Sequence, residues 1–309
     1  MKLNKTVATL SLILAIQSGS VCHAAGLTSG TLLKTASSAR AAGMAEAFGA
    51  NTDSIALMAY NPAGLANRNK SEIETMFQNG LVDNQTVYLG GGTSLKKGYA
   101  GASLFYLDGG EIEVGSLNGS TIQTATKKAQ QEYVGTVGYG WPLTKHLGAG
   151  ASIKVIHSKL VEEFSATALA GDLGLHYQTA LPGLQTGVSI QNFGTKLKYE
   201  STRESLPLTL RVGAQYGTTL NGNNKLLGAV DVLFSKQEKA KVNVGAEFEF
   251  ISTLSLRAGY HIDAENKSDS ISGFTTGLGL KLFQYRFDYA FELSKKFNDQ
   301  HMFSVGISF

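Results

Sequence analysis

The sequence of 309 residues is poor in several residue types on which whole classes of protein depend. Its single cysteine excludes a disulfide-stapled scaffold, a cysteine-based zinc site and an iron–sulfur cluster. Charged residues make up only 17%, and 27 basic against 24 acidic residues leave a net charge of +3. Nucleic-acid-binding proteins need a concentrated basic face, which so even a charge balance does not indicate, so no nucleic-acid partner is predicted. No run of about 18 apolar residues follows residue 24, so no membrane-spanning helix is predicted there.

The sequence also lacks the common catalytic and cofactor motifs. Its 6 histidines show no His-x-His or His-Glu-x-x-His spacing, and there is no Gly-x-Ser-x-Gly elbow. Gly90, Gly91 and Gly92 are not followed by the Lys-Ser/Thr ending of a phosphate loop. We therefore predict no metal, no cofactor and no enzymatic activity. A serine–histidine pair brought together from distant strands, as in barrel lipases, is left open by the sequence.

What is present begins with the features of a secretory signal peptide. Lys2 and Lys5 precede a short apolar stretch at residues 7–16, and small residues suitable for cleavage lead up to Ala24. The apolar stretch is about half of the ~20 residues that a spanning helix needs. Attachment of a lipid at Cys22 is the less favoured alternative, because such a cysteine normally follows a small residue. The pattern predicts an exported protein.

The next segment is rich in alanine and has helical spacing. The pattern predicts a first helix that is capped by Ser37 or Ser38 and reaches Phe48. A second helix is predicted to be capped by Asp53 and to end before Pro62, because proline disfavours the helical conformation of the preceding residue. These helices would form a small unit that differs from everything after it.

From about residue 72 the period of the apolar residues changes to two, which is typical of strands with one apolar and one polar face. Most segments are about 9–12 residues long, the length of a tilted strand that crosses a membrane. Fourteen such segments have their centres near residues 75, 90, 103, 135, 152, 171, 189, 211, 230, 246, 258, 276, 288 and 305.

The connections between these segments alternate between short and long, which is typical of outer-membrane barrels. The last segment places four large apolar residues on one face and ends on phenylalanine, as outer-membrane barrels do when they engage their assembly machinery. These proposed assembly-signal residues are Phe303, Val305, Ile307 and Phe309. A soluble β-sandwich or solenoid would also alternate, but neither accounts for export together with regular strands of this length.

The predicted fold is therefore all-β: a 14-stranded antiparallel transmembrane β-barrel of the outer membrane with a small N-terminal helical hatch in its lumen. The predicted parts are a signal peptide (residues 1–24), a hatch (25–70) and a barrel (71–309). The outer membrane of a Gram-negative-type bacterium is the expected location, with its lipid and the barrel-assembly machinery as partners.

If the apolar faces contact lipid, charges of both signs point into the lumen. The predicted lumen residues are Asp231, Glu247, Glu249, Arg257, His261, Lys281, Arg286, Asp288 and Glu292. The favoured interpretation is that they pair with one another and with the hatch, with Asp288 or Glu292 as natural partners of Arg40. The alternative is a gated polar path around a movable plug.

The segment from residue 40 to 66 resembles the hatch signature of the FadL-like outer-membrane superfamily. The matching residues are Arg40, Gly43, Met44, Phe48, Asp53, Asn61, Pro62, Ala63 and Gly64. The sequence is most similar to the short-looped PorV/PorQ branch, which is associated with type IX secretion and is UPF0164-like. The resemblance implies a hatch folded inside a fourteen-stranded barrel, with the Asn-Pro-Ala turn leading into the first strand.

Two functions follow from this resemblance. As a FadL-like transporter, the barrel would mediate passage of small hydrophobic molecules or exported cargo across the outer membrane. As a PorV-like accessory subunit, it would act without a channel and dock exported proteins at a type IX-like secretion complex. The large loops of the long-chain fatty-acid transporters are missing, so a dedicated fatty-acid role is not predicted.

Overall fold

The structure is a computed structural model, and the residues that it describes are 30–79, 84–118, 121–200, 202–220, 223–236, 238–263, 273–293 and 299–309. The predicted signal peptide (1–24) and the first residues of the predicted hatch (25–29) lie outside the described residues.

Fourteen strands form a closed antiparallel barrel in which neighbours in sequence are neighbours in the sheet, and the first strand pairs with the last. Two further hairpins stand in connections between barrel strands. Numbered in chain order, the barrel strands are β1 (Glu72–Asn79), β2 (Gln85–Leu95), β3 (Gly98–Asp108), β6 (Gln130–Pro142), β7 (Leu147–Leu160), β8 (Phe164–Gln178), β9 (Leu184–Gly194), β12 (Thr209–Thr219), β13 (Lys225–Ser235), β14 (Lys241–Phe250), β15 (Leu254–Asp263), β16 (Phe274–Leu282), β17 (Tyr285–Glu292) and β18 (Gln300–Ser308). The hairpin strands are β4 (Glu111–Asn118) with β5 (Thr121–Lys128), and β10 (Leu197–Tyr199) with β11 (Thr202–Glu204).

The predicted alternation matches the two faces of the wall. In β1, Ile73 and Phe77 face outwards and are about half exposed, whereas Glu72 and Glu74 face the lumen and are buried. The same pattern recurs in the other barrel strands, so the outer surface is apolar and the inner surface carries the polar groups. A barrel with this arrangement is suited to a lipid environment.

The two ends of the barrel differ in the length of their connections. At one end, which we call the short-turn end, six short turns join the strands, and the chain both enters β1 and finishes after β18. At the other, the long-loop end, four connections are longer than any of these turns, and two of the four contain the β4–β5 and β10–β11 hairpins. The β7–β8 connection (161–163) is short, and the β1–β2 and β13–β14 connections are no longer than the longest turns of the other end. The asymmetry predicted from the sequence is therefore present, but it is not shared by every connection.

Residues 30–70 lie inside the barrel and form the hatch. The only α-helix among the described residues is α1 (Ala39–Gly43), and 3-10 helices span Thr31–Lys34, Ile55–Ala59 and Pro62–Asn67. No helix in the described part of the chain is long and apolar enough to cross a membrane.

The predicted helices are only partly correct. Ser38 caps α1 as expected, but α1 ends at Gly43 instead of reaching Phe48, because Ala45 and Glu46 adopt positive φ angles and turn the chain. The second helix is a short 3-10 helix that is capped by Ser54, where the sequence predicted Asp53. Both differences reflect the confined lumen, where tight turns against the wall replace long helices.

Candidate functional site: the hatch, its ion pairs and the lumen cavities

Asn61 fixes the start of the last 3-10 helix of the hatch. Its side-chain oxygen accepts a hydrogen bond from the Ala63 backbone N–H (3.0 Å). Its amide nitrogen donates to the Gly49 carbonyl (2.9 Å) and to the Leu175 carbonyl of the wall (3.1 Å). Pro62 occupies the first helical position, where a missing N–H costs nothing. The Asn-Pro-Ala-Gly motif therefore closes a turn within the hatch and ties it to β8.

The glycines of the hatch motif allow close backbone approach. A Cβ at Gly64 would lie 2.5 Å from the Asn51 carbonyl oxygen, and a Cβ at Gly43 would lie 3.1 Å from Cα of Gly277 in β16. Only glycine fits such contacts without displacement of the neighbouring backbone. These two motif positions are therefore explained by packing.

Glycines of the wall accept the hatch in the same way. Gly245 of β14 and Gly259 of β15 lie directly opposite each other in register. A Cβ on Gly245 would be 2.5 Å from the Met44 carbonyl oxygen, and one on Gly259 would be 2.5 Å from the Ala45 backbone nitrogen. The buried Met44 thus sits over a wall patch without side chains. These inward-facing glycines therefore serve as contact sites for the hatch.

A buried ion-pair network joins the hatch to one side of the wall. Arg40 makes two hydrogen bonds to the Glu247 carboxylate, at 2.7 and 2.8 Å. Glu247 also accepts from Arg257 of β15, and Arg257 continues to Asp288 of β17 at 2.8 Å. Arg286 donates to Asp288 at 2.9 Å. The direct partner of Arg40 is therefore Glu247 instead of the expected Asp288 or Glu292, and Asp288 is reached only through Arg257.

The network extends further along the wall. Arg286 lies 2.9 Å from Glu74 and 3.2 Å from Glu72, both of β1. Glu72 pairs in turn with Arg68, just after the last hatch helix.

The network also affects the protonation of Arg40. Burial disfavours the charged form of Arg40, but the negative charges of Glu247 and Asp53 outweigh the effect of burial, so the pKa of the Arg40 guanidinium is raised above its ordinary value.

A second ion pair holds the middle of the hatch. Arg211 of β12 lies 2.6 Å from Asp231 of β13, and both side chains are buried. Asp231 accepts hydrogen bonds from the backbone N–H groups of Phe48 (3.1 Å) and Gly49 (2.8 Å). The guanidinium of Arg211 lies 5.0 Å from the Tyr60 ring centroid. The motif residue Phe48 is thereby fixed by its backbone as well as by its buried ring.

The other predicted residues occupy the rims of the lumen. Asp53 is half exposed and lies 3.5 Å from Arg40. Glu249 pairs with Lys225 at the short-turn end (3.0 Å), and Lys281 is exposed at the same end. Glu292 is at the long-loop end and lines a cavity there. The structure thus joins Arg40, Glu247, Arg257, Arg286 and Asp288 into one network and leaves Glu249 and Glu292 outside it.

Several lumen residues were missed by the sequence reasoning, among them Glu72 and Glu74. Another missed set is the cluster of Lys154, Asp172 and Asn192, in which the Lys154 ammonium lies 2.9 Å from Asp172 and 2.7 Å from the Asn192 side-chain oxygen. Glu72, Glu74, Lys154 and Asp172 belong to the polar face of an alternating strand, and that alternation is the signal that identifies them. Asn192 departs from the alternation, because it follows the buried Gln191 with a positive φ at a register shift between β8 and β9. Among the described residues no group of three metal-ligating side chains is arranged to hold an ion.

A cavity of about 460 Å³ opens beneath the long-loop end. One side is mainly apolar and includes Tyr88, Phe105 and Val134 of the wall, with the polar Ser103 and Thr136 on the same strands. The opposite side is polar and includes Arg211 and His261. Such a division suits a molecule with an apolar body and one polar end.

The hatch contributes its own residues to this loop-end cavity. Leu33, Glu46 and Tyr60 line it from the hatch side. Burial raises the pKa of the Glu46 carboxyl above its ordinary value, although nearby Arg211 opposes the shift, and burial also raises the pKa of Tyr60. A bound molecule would therefore contact hatch and wall together.

A second cavity, of about 640 Å³, lies at the short-turn end and is lined by charged residues that include Arg40, Arg68 and Glu247. Among the residues that the structure describes, none lines both cavities. Between them lie fully buried hatch residues such as Ile55 and Leu57. The hatch therefore separates an amphipathic cavity from a charged one.

The proposed assembly-signal residues form the outer face of β18. Phe303, Val305, Ile307 and Phe309 all point outwards with partly exposed side chains. The backbone of Phe309 exchanges two hydrogen bonds with Ser71, at 2.9 and 3.0 Å, which extends the β1–β18 closure to the end of the chain.

The comparisons with known proteins support the fold. No family model matches the sequence, and no curated protein matches it significantly. The structure is similar to the Pseudomonas putida toluene transporter TodX, with a TM-score of 0.61 and 13% identity over 88% of this chain and 96% of that one. It is also similar to the Ralstonia pickettii toluene transporter TbuX, with a TM-score of 0.59 and 14% identity over 86% of this chain and 96% of that one. A third similar structure is the monoaromatic hydrocarbon channel CymD, with a TM-score of 0.55 and 13% identity over 87% of this chain and 95% of that one. The chain therefore has the fold of these fourteen-stranded channels.

Proposed function

We propose that this protein is a FadL-like channel of the outer membrane that mediates passage of small hydrophobic molecules. The observation that carries the proposal is the loop-end cavity, with an apolar wall on one side, polar groups on the other and a hatch beneath it. TodX, TbuX and CymD, which share the fold, are described as toluene transporters or as a monoaromatic hydrocarbon channel.

The apolar outer surface supports a location in the outer membrane, reached with the help of a cleaved signal peptide and the barrel-assembly machinery. In this orientation the short-turn end faces the periplasm, and the loop-end cavity receives solutes from outside. The hatch closes the straight path through the lumen, so passage requires that it move or that the solute leave past it.

The proposed function is tested by removing residues 30–66. The truncated chain should still form a heat-resistant barrel, because the fourteen wall strands pair without the hatch. Reconstituted into liposomes, it should release small solutes that the intact protein retains. A truncated barrel that stays sealed would contradict the assignment of the hatch as the plug.

Substrate class is tested separately with the intact protein. Uptake of a radiolabelled monoaromatic hydrocarbon into cells should exceed uptake by cells without the protein, and Phe105→Glu in the cavity wall should reduce it. Equal uptake with and without the protein would refute a hydrophobic substrate. The secretion-subunit alternative rests on the sequence resemblance alone; co-purification of exported cargo with the intact barrel would favour it.

A further inference from the structure

The six short turns share a composition that differs from ordinary surface turns. Each has one exposed large apolar side chain in the turn itself or, for Leu95, at the last residue of the strand that enters it, with exposures from 45% to 94%. These residues are Leu95, Leu143, Leu181, Leu220, Ile251 and Phe283. Turns in water are normally dominated by small and polar residues, so a row of apolar tips indicates surroundings other than water.

Within the six turns themselves, the charged side chains are of one sign, although acidic residues such as Glu249 lie nearby inside the lumen. The six turns contain no aspartate or glutamate, whereas lysines occupy positions 96, 97 and 145. At the long-loop end, by contrast, acidic and basic residues are mixed and pair with each other, as Lys127 does with Glu163. Among the described residues Lys96, Lys97 and Lys145 form no ion pair, so their charges are available to an anion.

Three lysines and two aromatic side chains come together on one arc of the rim. The register of β3 with β6 places the β2–β3 turn beside the β6–β7 turn. Tyr139 and Trp141 of β6 face outwards there, and the Tyr139 hydroxyl donates to the Lys97 carbonyl at 2.9 Å. We call Lys96, Lys97, Tyr139, Trp141 and Lys145 the turn cluster. Aromatic residues with adjacent lysines are typical of the headgroup level of a membrane.

We propose that the turn cluster binds the headgroup of an anionic phospholipid in the leaflet around the short-turn end. The cations supply charge complementarity to the phosphate, while Trp141 and the apolar turn tips lie among the upper acyl chains. The apolar tips occur on all six turns. A leaflet surrounds the whole rim, whereas a docked protein would cover one arc, so this distribution favours lipid. The inference rests on the membrane location that the proposed function assumes.

The chain offers a direct reporter, because Trp141 is its single tryptophan. The full-length protein is reconstituted into two preparations of phosphatidylcholine vesicles. One contains brominated phosphatidylglycerol, and the other contains the same fraction of brominated phosphatidylcholine. Bromine quenches tryptophan only at short range, so quenching measures which lipid occupies the turn cluster. We expect a relative association constant of about fivefold in favour of phosphatidylglycerol, the scale expected for one lysine at an anionic surface.

Variants identify the groups responsible. In the double variant Lys96→Gln with Lys97→Gln, the relative association constant of phosphatidylglycerol over phosphatidylcholine should fall close to one. The corresponding arginine substitutions should retain the wild-type preference. Lys196→Gln with Lys198→Gln removes the same charge at the long-loop end and should leave the preference unchanged. Inorganic phosphate should reduce the preference no more than sodium chloride of equal ionic strength; a stronger effect would mean that the cluster binds free phosphate instead.

The possible failures are distinguishable. Equal quenching by the two brominated lipids, or a preference that survives in the Lys96/Lys97 glutamine variant, would overturn the phospholipid site alone. Absence of quenching by both lipids would overturn it together with the membrane location on which the proposed function depends.

Discussion

Replacing Glu247 with glutamine is the sharpest test of how the hatch is held in the lumen. Glu247 accepts two hydrogen bonds from Arg40 of the hatch and one from Arg257 of the wall. The substitution preserves the size of the side chain but removes the negative charge between two buried guanidinium groups. Arg257 retains Asp288, whereas Arg40 retains only the half-exposed Asp53 at 3.5 Å.

The expected cost follows from this asymmetry. Breaking a buried ion pair by removing one partner costs about 3–5 kcal/mol. The remaining partners of both arginines place this case at the lower end, about 3 kcal/mol. Because 1.4 kcal/mol corresponds to about tenfold, the docking equilibrium of the hatch should shift by about two orders of magnitude. The wall strands keep their ladders, so the loss should fall mainly on the hatch.

The assay combines channel recordings with hydrogen exchange. In planar bilayers the Glu247→Gln variant should show frequent open events, and amide exchange within α1 (Ala39–Gly43) should accelerate. Glu249→Gln is the matched control: it lies two residues further on the same strand, and its pair with Lys225 is partly exposed and worth about 0–1 kcal/mol. A Glu247→Gln channel as closed and as protected as the wild type, or indistinguishable from the control, would refute the reasoning.

Three further predictions address other contacts. Gly245→Ala should loosen the hatch and raise conductance, because the new Cβ would meet Met44, whereas Gly228→Ala, with nothing within 4 Å, should not; equal conductance of the two would contradict the contact. Burial raises the pKa of Glu46 above 4.5, so the docked hatch binds more protons than a released one. Docking should weaken as pH rises from about 4.5 through the raised pKa, and Glu46→Gln should flatten the conductance–pH curve; an unchanged curve would exclude Glu46 as its source. Deletion of Phe309 should slow barrel assembly, measured as heat-resistant protein after a pulse of synthesis, and normal kinetics would argue against the assembly signal.

The barrel could be predicted from the sequence because its wall repeats one simple rule. The outward face of each strand is mainly apolar, with polar residues such as Thr167 and His157 mostly near strand ends, so the period of two is visible without knowledge of any partner. The β4–β5 and β10–β11 hairpins were expected only as long connections. They lie outside the closed barrel sheet, so no continuous apolar face marks them as strands.

The lumen was harder to predict. Alternation indicates that Glu247 and Asp288 face inwards, but it does not give the stagger of their strands or the height of Arg40 inside the barrel. The pairing of Arg40 with Glu247 depends on that height, which is set by where Met44 rests on the wall glycines. The short α1 has a related cause, because the turn at Ala45 and Glu46 that ends it directly follows Met44 where the chain contacts the wall glycines.

The contacts of the hatch are divided along the barrel axis, and this division bears on gating. Leu33, Glu46 and Tyr60 line the loop-end cavity, whereas Arg40 lines the charged cavity at the other end. A molecule in the loop-end cavity therefore touches the hatch without reaching its strongest ion pair. Such a molecule would contact Arg211, which also pairs with Asp231, and Asp231 in turn accepts a hydrogen bond from the backbone of Phe48. Arg211 also donates to the Glu46 backbone carbonyl at 2.9 Å. Binding that draws Arg211 away would therefore remove this contact with the middle of the hatch first, while Asp231 still holds Phe48 and Gly49, and Glu247 still holds Arg40.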